Sequence, residues 1–408
     1  MKQIYCVFII VFFSLGAAFT AEAQIITKED SLNAGLTPQN SPTVLSGYGE
    51  ARYSTLLNNN TANLNLTRVV TFFGHKFNRN ISFFSETELE GSKVDGGAGG
   101  EISVEQAFLK LNVNRELYFT AGLFIPRIGI INENHLPTTY NGVDRTFLEQ
   151  TLIPATWREI GLGVYWSPTS IPGLNLSGSL MNGLNAAGFT PGTGLRDGRY
   201  EGRNASARNL AVNAAVLYYT GPFRLQASTY YGGSVGVSNG HADSLRLQTG
   251  TFGTPVLLNE ANLQYRKNGL VIKALAARVH IADAGSITSA FANNVARESY
   301  GWYAEAGYDL MELFKKPNRN LTVFTRYEEV NMHAEMPVEG EKDPQYNKKY
   351  LVVGLTYSPV QGVTLKADFV QAQSGTPNPR LMNNPAARAL DPYYTNRRIV
   401  NIGIGYSF

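Results

Sequence analysis

The chain ends Ile399-Val400-Asn401-Ile402-Gly403-Ile404-Gly405-Tyr406-Ser407-Phe408. Val400, Ile402, Ile404, Tyr406 and Phe408 fall on one face, and Ile399, Asn401, Gly403, Gly405 and Ser407 on the other. This period of two reads as a strand with one apolar face and one small or polar face. A strand of a soluble sandwich alternates in the same way, so the fold is decided by how the remaining strands are joined. Sixteen segments are strand candidates: 43–54, 62–76, 79–90, 101–112, 116–131, 158–167, 173–182, 208–219, 222–234, 255–266, 269–280, 298–310, 319–331, 348–358, 363–373 and 396–408. Each can supply the roughly 9–11 residues with which a tilted strand crosses a hydrocarbon layer.

Every second connection is short and built of turn formers: Phe77-Asn78-Arg79, Asn112 to Arg115, Pro168 to Gly173, Thr220-Gly221-Pro222, Lys267-Asn268-Gly269, Lys315 to Asn320 and Ser358 to Gly362. Gly, Pro and Asn supply the dihedrals that tight turns need. The intervening connections are mostly long and polar (91–100, 132–157, 183–207, 235–254, 281–297, 332–347 and 374–395), and only the one around Leu57 to Thr61 is brief. A strict alternation of short turns and long loops is the habit of a transmembrane antiparallel β-barrel, here all-β with about sixteen strands. An even strand count also puts both termini at one end.

Charges inside the strands give the sidedness. Glu86, Glu88 and Glu90 share a face opposite Ile81, Phe83 and Leu89, and Lys366 and Asp368 oppose Leu365, Ala367 and Phe369. Arg326 and Glu328 oppose Val323 and Tyr327, while Glu305 opposes Trp302, Ala304 and Ala306. A charge turned to lipid costs about 2–4 kcal/mol at the midplane, so these faces are expected to line a lumen. Glu50, Arg52, Arg68, Glu86, Glu88, Arg326 and Lys366 are the expected wall charges. Residues 269–280 leave their register open. The aromatic pairs Tyr118-Phe119, Tyr165-Trp166, Tyr218-Tyr219 and Trp302-Tyr303 suit interfacial girdles.

Residues 1–23 read as a secretory signal: Lys2, an apolar run from Ile4 to Leu15, and Ala21-Glu22-Ala23 as a small-x-small cleavage site. No later apolar run is long enough for a spanning helix. Residues 24–42 read as a short periplasmic segment, too small for a plug, and 43–408 as the barrel. The single cysteine, Cys6, falls in the leader, so the mature chain carries no thiol and no cysteine-held metal. Lys2 and Glu22 leave together and the net charge stays at +3, too small to argue for nucleic acid as a partner. The 40 glycines, 22 tyrosines and 21 phenylalanines suit many strands and turns. A mean hydropathy of −0.16 fits a barrel, which shows lipid one residue in two.

Two resemblances sharpen this reading. The terminal Phe408 resembles the closing strand of bacterial outer-membrane β-barrels, which implies that barrel assembly machinery reads it as a signal and places the protein in the outer membrane among its lipids. The second lies around the third long loop, with Gly122-Leu123-Phe124-Ile125-Pro126 at a strand end, then Asp144-Arg145-Thr146-Phe147-Leu148-Glu149-Gln150, then Arg158-Glu159-Ile160-Gly161-Leu162-Gly163 opening the next strand. Over residues 119–164 the chain resembles the phosphate-selective porin O and P family, matching at Arg145, Phe147, Leu148, Glu149, Arg158, Glu159, Gly161 and Gly163. Gln150 stands where that family often has arginine, which removes a cation. The resemblance implies a sixteen-stranded trimeric porin whose third loop, 132–157, folds into the pore.

A barrel of this size leaves room for an aqueous channel, and what narrows it sets selectivity. Asp144, Arg145, Glu149, Arg158 and Glu159 are the candidate constriction residues. Arg145 and Arg158 offer permanently charged planar forks to an anion. The alternative is a self-satisfied ion-pair network with Asp144, Glu149 and Glu159 that pins the loop to the wall. The expected function is passive diffusion of small hydrophilic solutes, with anion or phosphate preference as the finer expectation. A substrate-specific channel, to which Tyr140 and Phe147 would contribute, and an adhesin or structural barrel with binding loops are the alternatives.

Catalytic chemistry and cofactors are not expected. His75, His135, His241, His280 and His333 lie far apart in sequence, with no second ligand at helical or hairpin spacing, so no metal site is expected. No His–nucleophile cluster suggests an enzyme. The stretch Asp95 to Glu101 is glycine-rich without a phosphate-loop pattern, and Arg397-Arg398 reads as the start of the last strand.

Overall fold

A computed structural model describes residues 42–92, 100–314, 319–381 and 395–408. The expected leader, the segment 24–42 apart from Pro42, and much of the turn at 315–320 and of the glycine-rich stretch at 95–101 lie outside the described residues. The chain forms sixteen strands: β1 (Thr43–Leu56), β2 (Thr61–Lys76), β3 (Ile81–Glu90), β4 (Glu101–Asn112), β5 (Leu117–Phe124), β6 (Glu159–Trp166), β7 (Leu174–Asn182) and β8 (Leu210–Thr220) make the first half. The second half is β9 (Phe223–Gly232), β10 (Val256–Lys267), β11 (Leu270–Ile281), β12 (Glu298–Asp309), β13 (Asn320–Glu335), β14 (Asn347–Val360), β15 (Val363–Ser374) and β16 (Asn396–Ser407). Each pairs antiparallel with its sequence neighbours, and β1 pairs with β16 from Tyr48↔Ser407 to Leu56↔Ile399, closing the barrel. Among the described residues no helix is long and apolar enough to cross a membrane.

The short turns form as their residues dictate. Asn78 Oδ1 accepts the backbone N–H of Asn80 and Ile81 at 2.8 and 2.9 Å, and Asn114 does the same for Glu116 and Leu117. Asn268 and Gly269 take positive φ (50° and 78°) in the two-residue turn between β10 and β11. Closure gives every strand a partner on both sides over most of its length, which is how a barrel satisfies its backbone within the sheet.

Alternation then sorts the side chains. Exposed Leu109, Leu162, Val216, Trp302, Leu355 and Ile402 build the outer apolar belt, while Glu86, Glu260, Glu305, Arg326, Lys366 and Asp368 are buried on the inner face. Tyr406 and Phe408 lie outside over Gly47 and Gly49, where an added Cβ would meet their rings.

Two expectations need correction, and one open register is filled in. β5 stops at Phe124 rather than 131, because Pro126 cannot donate to a ladder and Ile128, Ile130 and Ile131 turn inward to be buried; the loop therefore begins near 125. The aromatic pairs are not wholly girdles, since alternation sends one ring each way. Phe119, Trp166 and Trp302 are outside, while Tyr118, Tyr165 and Tyr219 line an interior cavity and Tyr303 is buried. The unsettled register of β11 has Leu270, Ile272, Ala276 and Arg278 outside and Lys273, Leu275, Ala277 and Val279 inside.

That last register was illegible because both faces are apolar. Inside the barrel, Leu258, Leu275, Val279, Tyr303 and Met332 of β10 to β13 pack against Leu148, Ile153, Trp157, Leu184, Phe189 and Ile287 from the long loops. The loops thus build one hydrophobic core against the wall of β7 to β13, while charged groups line the inner face on both sides of it, among them Glu86 and Lys366 and, on β10 to β13, Glu260, Lys273, Glu305 and Arg326.

Candidate functional site

The segment between β5 and β6, residues 125–158, crosses the lumen and is tied to both walls. Its far tip reaches β15, β16 and β1. The Val143 N–H donates to Asp368 Oδ2 at 2.6 Å, and Asn401 Nδ2 holds the other oxygen of that carboxylate at 2.8 Å. Lys366 Nζ donates to the Tyr140 carbonyl at 2.9 Å and stands 3.8 Å over its ring. The Tyr140 hydroxyl donates to Glu50 Oε2 at 3.0 Å, and Thr138 Oγ1 meets Ser407 Oγ at 3.3 Å. Asn141 is bracketed by Glu305 and Arg326.

The lumen face of β16 is small because this tip rests on it. A Cβ at Gly405 would lie 2.7 Å from Pro137 Cβ, and one at Gly403 would lie 2.9 Å from Val143 Cγ1. Glycine here grants approach rather than flexibility.

On the other side a short helix, α1 (Phe147–Thr151), docks against β12 to β14. Thr146 caps it, the Leu148 N–H donates to Glu328 Oε2 at 2.9 Å, and Phe147 stacks on Tyr350 with centroids 3.9 Å apart. Glu149 is fully buried and, among the described residues, forms no ion pair with an arginine. Its Oε1 accepts the N–H groups of Ile130 and Ile131, each at 2.7 Å. Its Oε2 accepts the Tyr303 and Thr146 hydroxyls at 3.0 and 3.1 Å. Burial pushes the Glu149 carboxyl above the usual carboxylate range, against the pull of those donors.

The remaining sequence-chosen residues are placed as follows. Arg145 is buried, donating to Thr156 Oγ1 (3.2 Å) and the His135 carbonyl (3.3 Å). Arg158 is buried between Glu201 (3.0 Å) and Glu105 (3.8 Å). Glu159 accepts from Trp157 Nε1 and Asn182 Nδ2. Gln150 donates to the Arg145 carbonyl at 2.7 Å. Asp144 pairs with Arg52 across the gap to β1, and their side chains are 25% and 38% exposed. Arg68 bridges Glu50 and Glu88 at 2.8 and 3.1 Å, and Arg326 bridges Glu305 and Glu328 at 3.2 and 2.8 Å.

Below the crossing segment, toward the short turns, lies a cavity of about 860 Å³. Lys110, Arg224, Arg266 and Lys273 line it, against Glu86 and Glu133, with His135 in its roof. Phe72, Phe84 and Phe108 run down one wall with ring centroids 6.0 and 5.5 Å apart. Tyr118 and Tyr165 stack at 4.6 Å beside them, with Lys110 4.0 Å over Tyr118.

Sequence reading missed Glu105, Glu201 and Arg199, the last paired with Glu201 and donating to the Pro154 and Thr156 carbonyls at 2.7 and 2.8 Å. Glu105 had a signal: β4 alternates until Glu105-Gln106, two polar neighbours, then resumes. The structure puts a bulge there, opposite Glu86/Thr87, and both side chains turn inward. Glu105 is thereby brought to Glu86 and His135, with one ligand-type atom from each within 4.8 Å of the others. Burial lowers the His135 ring pKa, but Glu86 and Glu105 outweigh it and hold the ring up at about 9.

No protein-family model matches the chain. An uncharacterized protein of Aquifex aeolicus strain VF5 is 28% identical over 340 residues, 80% of this chain and 75% of that protein. Among solved structures, Salmonella typhi OmpF in complex with daunomycin is similar with a TM-score of 0.56 at 13% identity, covering 90% of this chain and 97% of that one. The outer membrane channel DcaP of Acinetobacter baumannii gives 0.54 at 11% (90% and 97% covered). An anion-selective porin from Comamonas acidovorans gives 0.51 at 10% (90% and 99%). At these identities the likeness is one of fold.

Proposed function

We propose that the chain is an outer-membrane porin, a passive diffusion channel for small hydrophilic solutes with a preference for anions. The observation that carries the channel reading is the polar interior left beside the crossing segment, where Arg52 and Asp144 are half-exposed while Arg145 and Arg158 are buried. A closed barrel with an apolar belt and a charged inner face suits passage through lipid rather than binding in water. The likeness in fold to OmpF, DcaP and the Comamonas porin supports it. Anion preference draws its support from the four basic side chains against two carboxylates in the cavity. Buried Arg145 and Arg158 and the missing cation at Gln150 take support from the phosphate-specific form of the reading.

The test is conductance of the folded protein in a planar bilayer. Discrete ion steps are expected, with a reversal potential in a KCl gradient displaced toward chloride. Folded protein without steps would end the channel reading; steps displaced toward potassium would end only the anion preference. The aromatic wall favours a second reading, a substrate-specific channel. It predicts saturable current block by an aromatic carboxylate, where a general porin shows none.

A further inference from the structure

We propose that Glu86, Glu105 and His135 form a binding site for a first-row divalent cation, whose bound ion clips the crossing segment to the wall of β3 and β4. The three residues come from three places in the chain: β3, the bulge of β4, and the loop. The three residues are 4%, 1% and 4% exposed.

The spacing is that of ligands rather than of a charged hydrogen bond. His135 Nε2 stands 3.4 Å from Glu86 Oε1 and 3.6 Å from Glu105 Oε2. An imidazolium–carboxylate hydrogen bond closes to about 2.7–2.9 Å. Two ligands on a tetrahedral ion with arms of about 2.0–2.1 Å sit about 3.3–3.4 Å apart.

The surroundings orient each donor. His135 Nδ1 lies 3.1 Å from the Asn132 carbonyl, which only accepts, so the Nδ1 proton is held there. Nε2 then points at two carboxylate oxygens, and a metal cation that displaces the Nε2 proton meets one nitrogen and two oxygen ligands there. Gln106 Nε2 holds the remaining oxygen of Glu86 at 2.7 Å. Tyr48 and Thr156 hydroxyls hold Glu105 Oε2 and Oε1 at 3.2 and 3.1 Å, and Arg158 approaches Glu105 on Oε1, away from the histidine. Such outer partners fix metal ligands in orientation. Glu86 and His135 also line the cavity, which gives an ion a way in and leaves a coordination position for water. One imidazole and two carboxylates suit a borderline cation such as Zn²⁺ or Mn²⁺.

The experiment strips the folded, detergent-purified barrel with EDTA, desalts it and titrates it with Zn²⁺ by calorimetry, with elemental analysis after gel filtration. One Zn²⁺ per chain is expected, with X-ray absorption showing a single imidazole among oxygen ligands. His135→Ala and Glu105→Gln are each expected to weaken binding by about 10- to 100-fold or more. Folding of each variant is checked by its heat shift on a gel. If His135→Ala fails to fold, Glu86→Gln is read in its place. His280→Ala, on the outer rim, is expected to bind as the parent does. No stoichiometric uptake by the folded parent, or uptake that survives loss of a cluster ligand in a folded variant, would overturn the site and leave the histidine as a proton-bound ion pair.

Discussion

Replacing Glu149 with alanine removes the acceptor on which the turn of the crossing segment and α1 both depend. Two backbone N–H groups and the Tyr303 hydroxyl lose their partner at a site with no solvent exposure, while the Thr146 hydroxyl, the fourth donor, keeps the backbone N–H of residue 149. A stranded buried donor costs about 1–3 kcal/mol, so three together cost about 3–6 kcal/mol after partial rescue by water. The wall ladders are untouched, so the loss falls on the seating of the loop and not on the barrel. Glutamine keeps an oxygen for Ile130 and Ile131 and turns its amide to the two hydroxyls, at about 1 kcal/mol or less. The carboxyl is pushed up by burial, so the seated loop binds more protons than the released one. Stability of the seated state is therefore greatest below the ordinary carboxyl range, about 4.3. It falls as pH rises from there toward the raised native value, a slope that Glu149→Gln lacks. The assay pairs limited trypsin digestion, which reads access to Arg127, Arg145 and Arg158, with single-channel current noise from acid to neutral pH. Glu149→Ala is expected to be nicked in the loop and to flicker; Glu149→Gln should resist like the parent, with noise that does not rise with pH. Equal digestion of the two variants would refute the hydrogen-bond argument, and a parent whose noise falls with pH would refute the proton argument.

Arg52→Ala is expected to shift the reversal potential further than Arg145→Ala, because only Arg52 is substantially exposed. Arg145→Ala should instead raise trypsin access to the loop, and the reverse ranking of selectivity would place Arg145 on the ion path. Neutralising Lys110 and Arg266 together should move the reversal potential toward potassium; no shift would remove the cavity from the selectivity argument. Gly405→Val forces a side chain against Pro137 and Thr364, so the tip should lift, with altered conductance and a preserved heat shift on gels; unchanged conductance would show that the tip does not narrow the path. Deleting Phe408 removes the pair of backbone hydrogen bonds with Gly47 (2.9 and 3.1 Å), and slowed assembly with normal conductance of the folded fraction is expected. Normal assembly kinetics would reduce Phe408 to a belt residue.

Strand number, sidedness and closure were legible because lipid on one side and water or charge on the other impose a strict period of two. The crossing loop was legible as a charged segment, but its partners were not. Arg145, Arg158 and Glu149 sit within fifteen residues of one another and invite pairing by proximity. In the fold Arg145 binds a carbonyl and a hydroxyl, Arg158 finds Glu201, and Glu149 finds backbone N–H groups and Tyr303. These choices follow from which groups the fold strands without water: a turn with two inward N–H groups takes the nearest acceptor. β11 failed for the complementary reason, since loops packed inside made its inner face as apolar as its outer one.

The last strand shows where such limits lie. Its inner face of Asn401, Gly403, Gly405 and Ser407 reads as plain lumen wall, and nothing within the strand says that another segment leans on it. The loop that does so is more than 250 residues earlier in the chain, and it meets the wall as a row: Val143 at Gly403, Pro137 at Gly405, Thr138 at Ser407, and Asp368 shared between Asn401 and the Val143 N–H. Water would fill a lumen wall of any size of side chain, whereas a seated loop tolerates only small ones. An inner face reduced to glycine, serine and one asparagine on a strand whose outer face is fully furnished is therefore itself a sign of a covered wall. The same face of β15 bears Lys366 and Asp368, whose polar groups take up the loop backbone that glycine cannot. Small residues on one strand and hydrogen-bonding ones on the next together form a seat, and that pairing can be sought in sequence wherever barrel strands alternate this way.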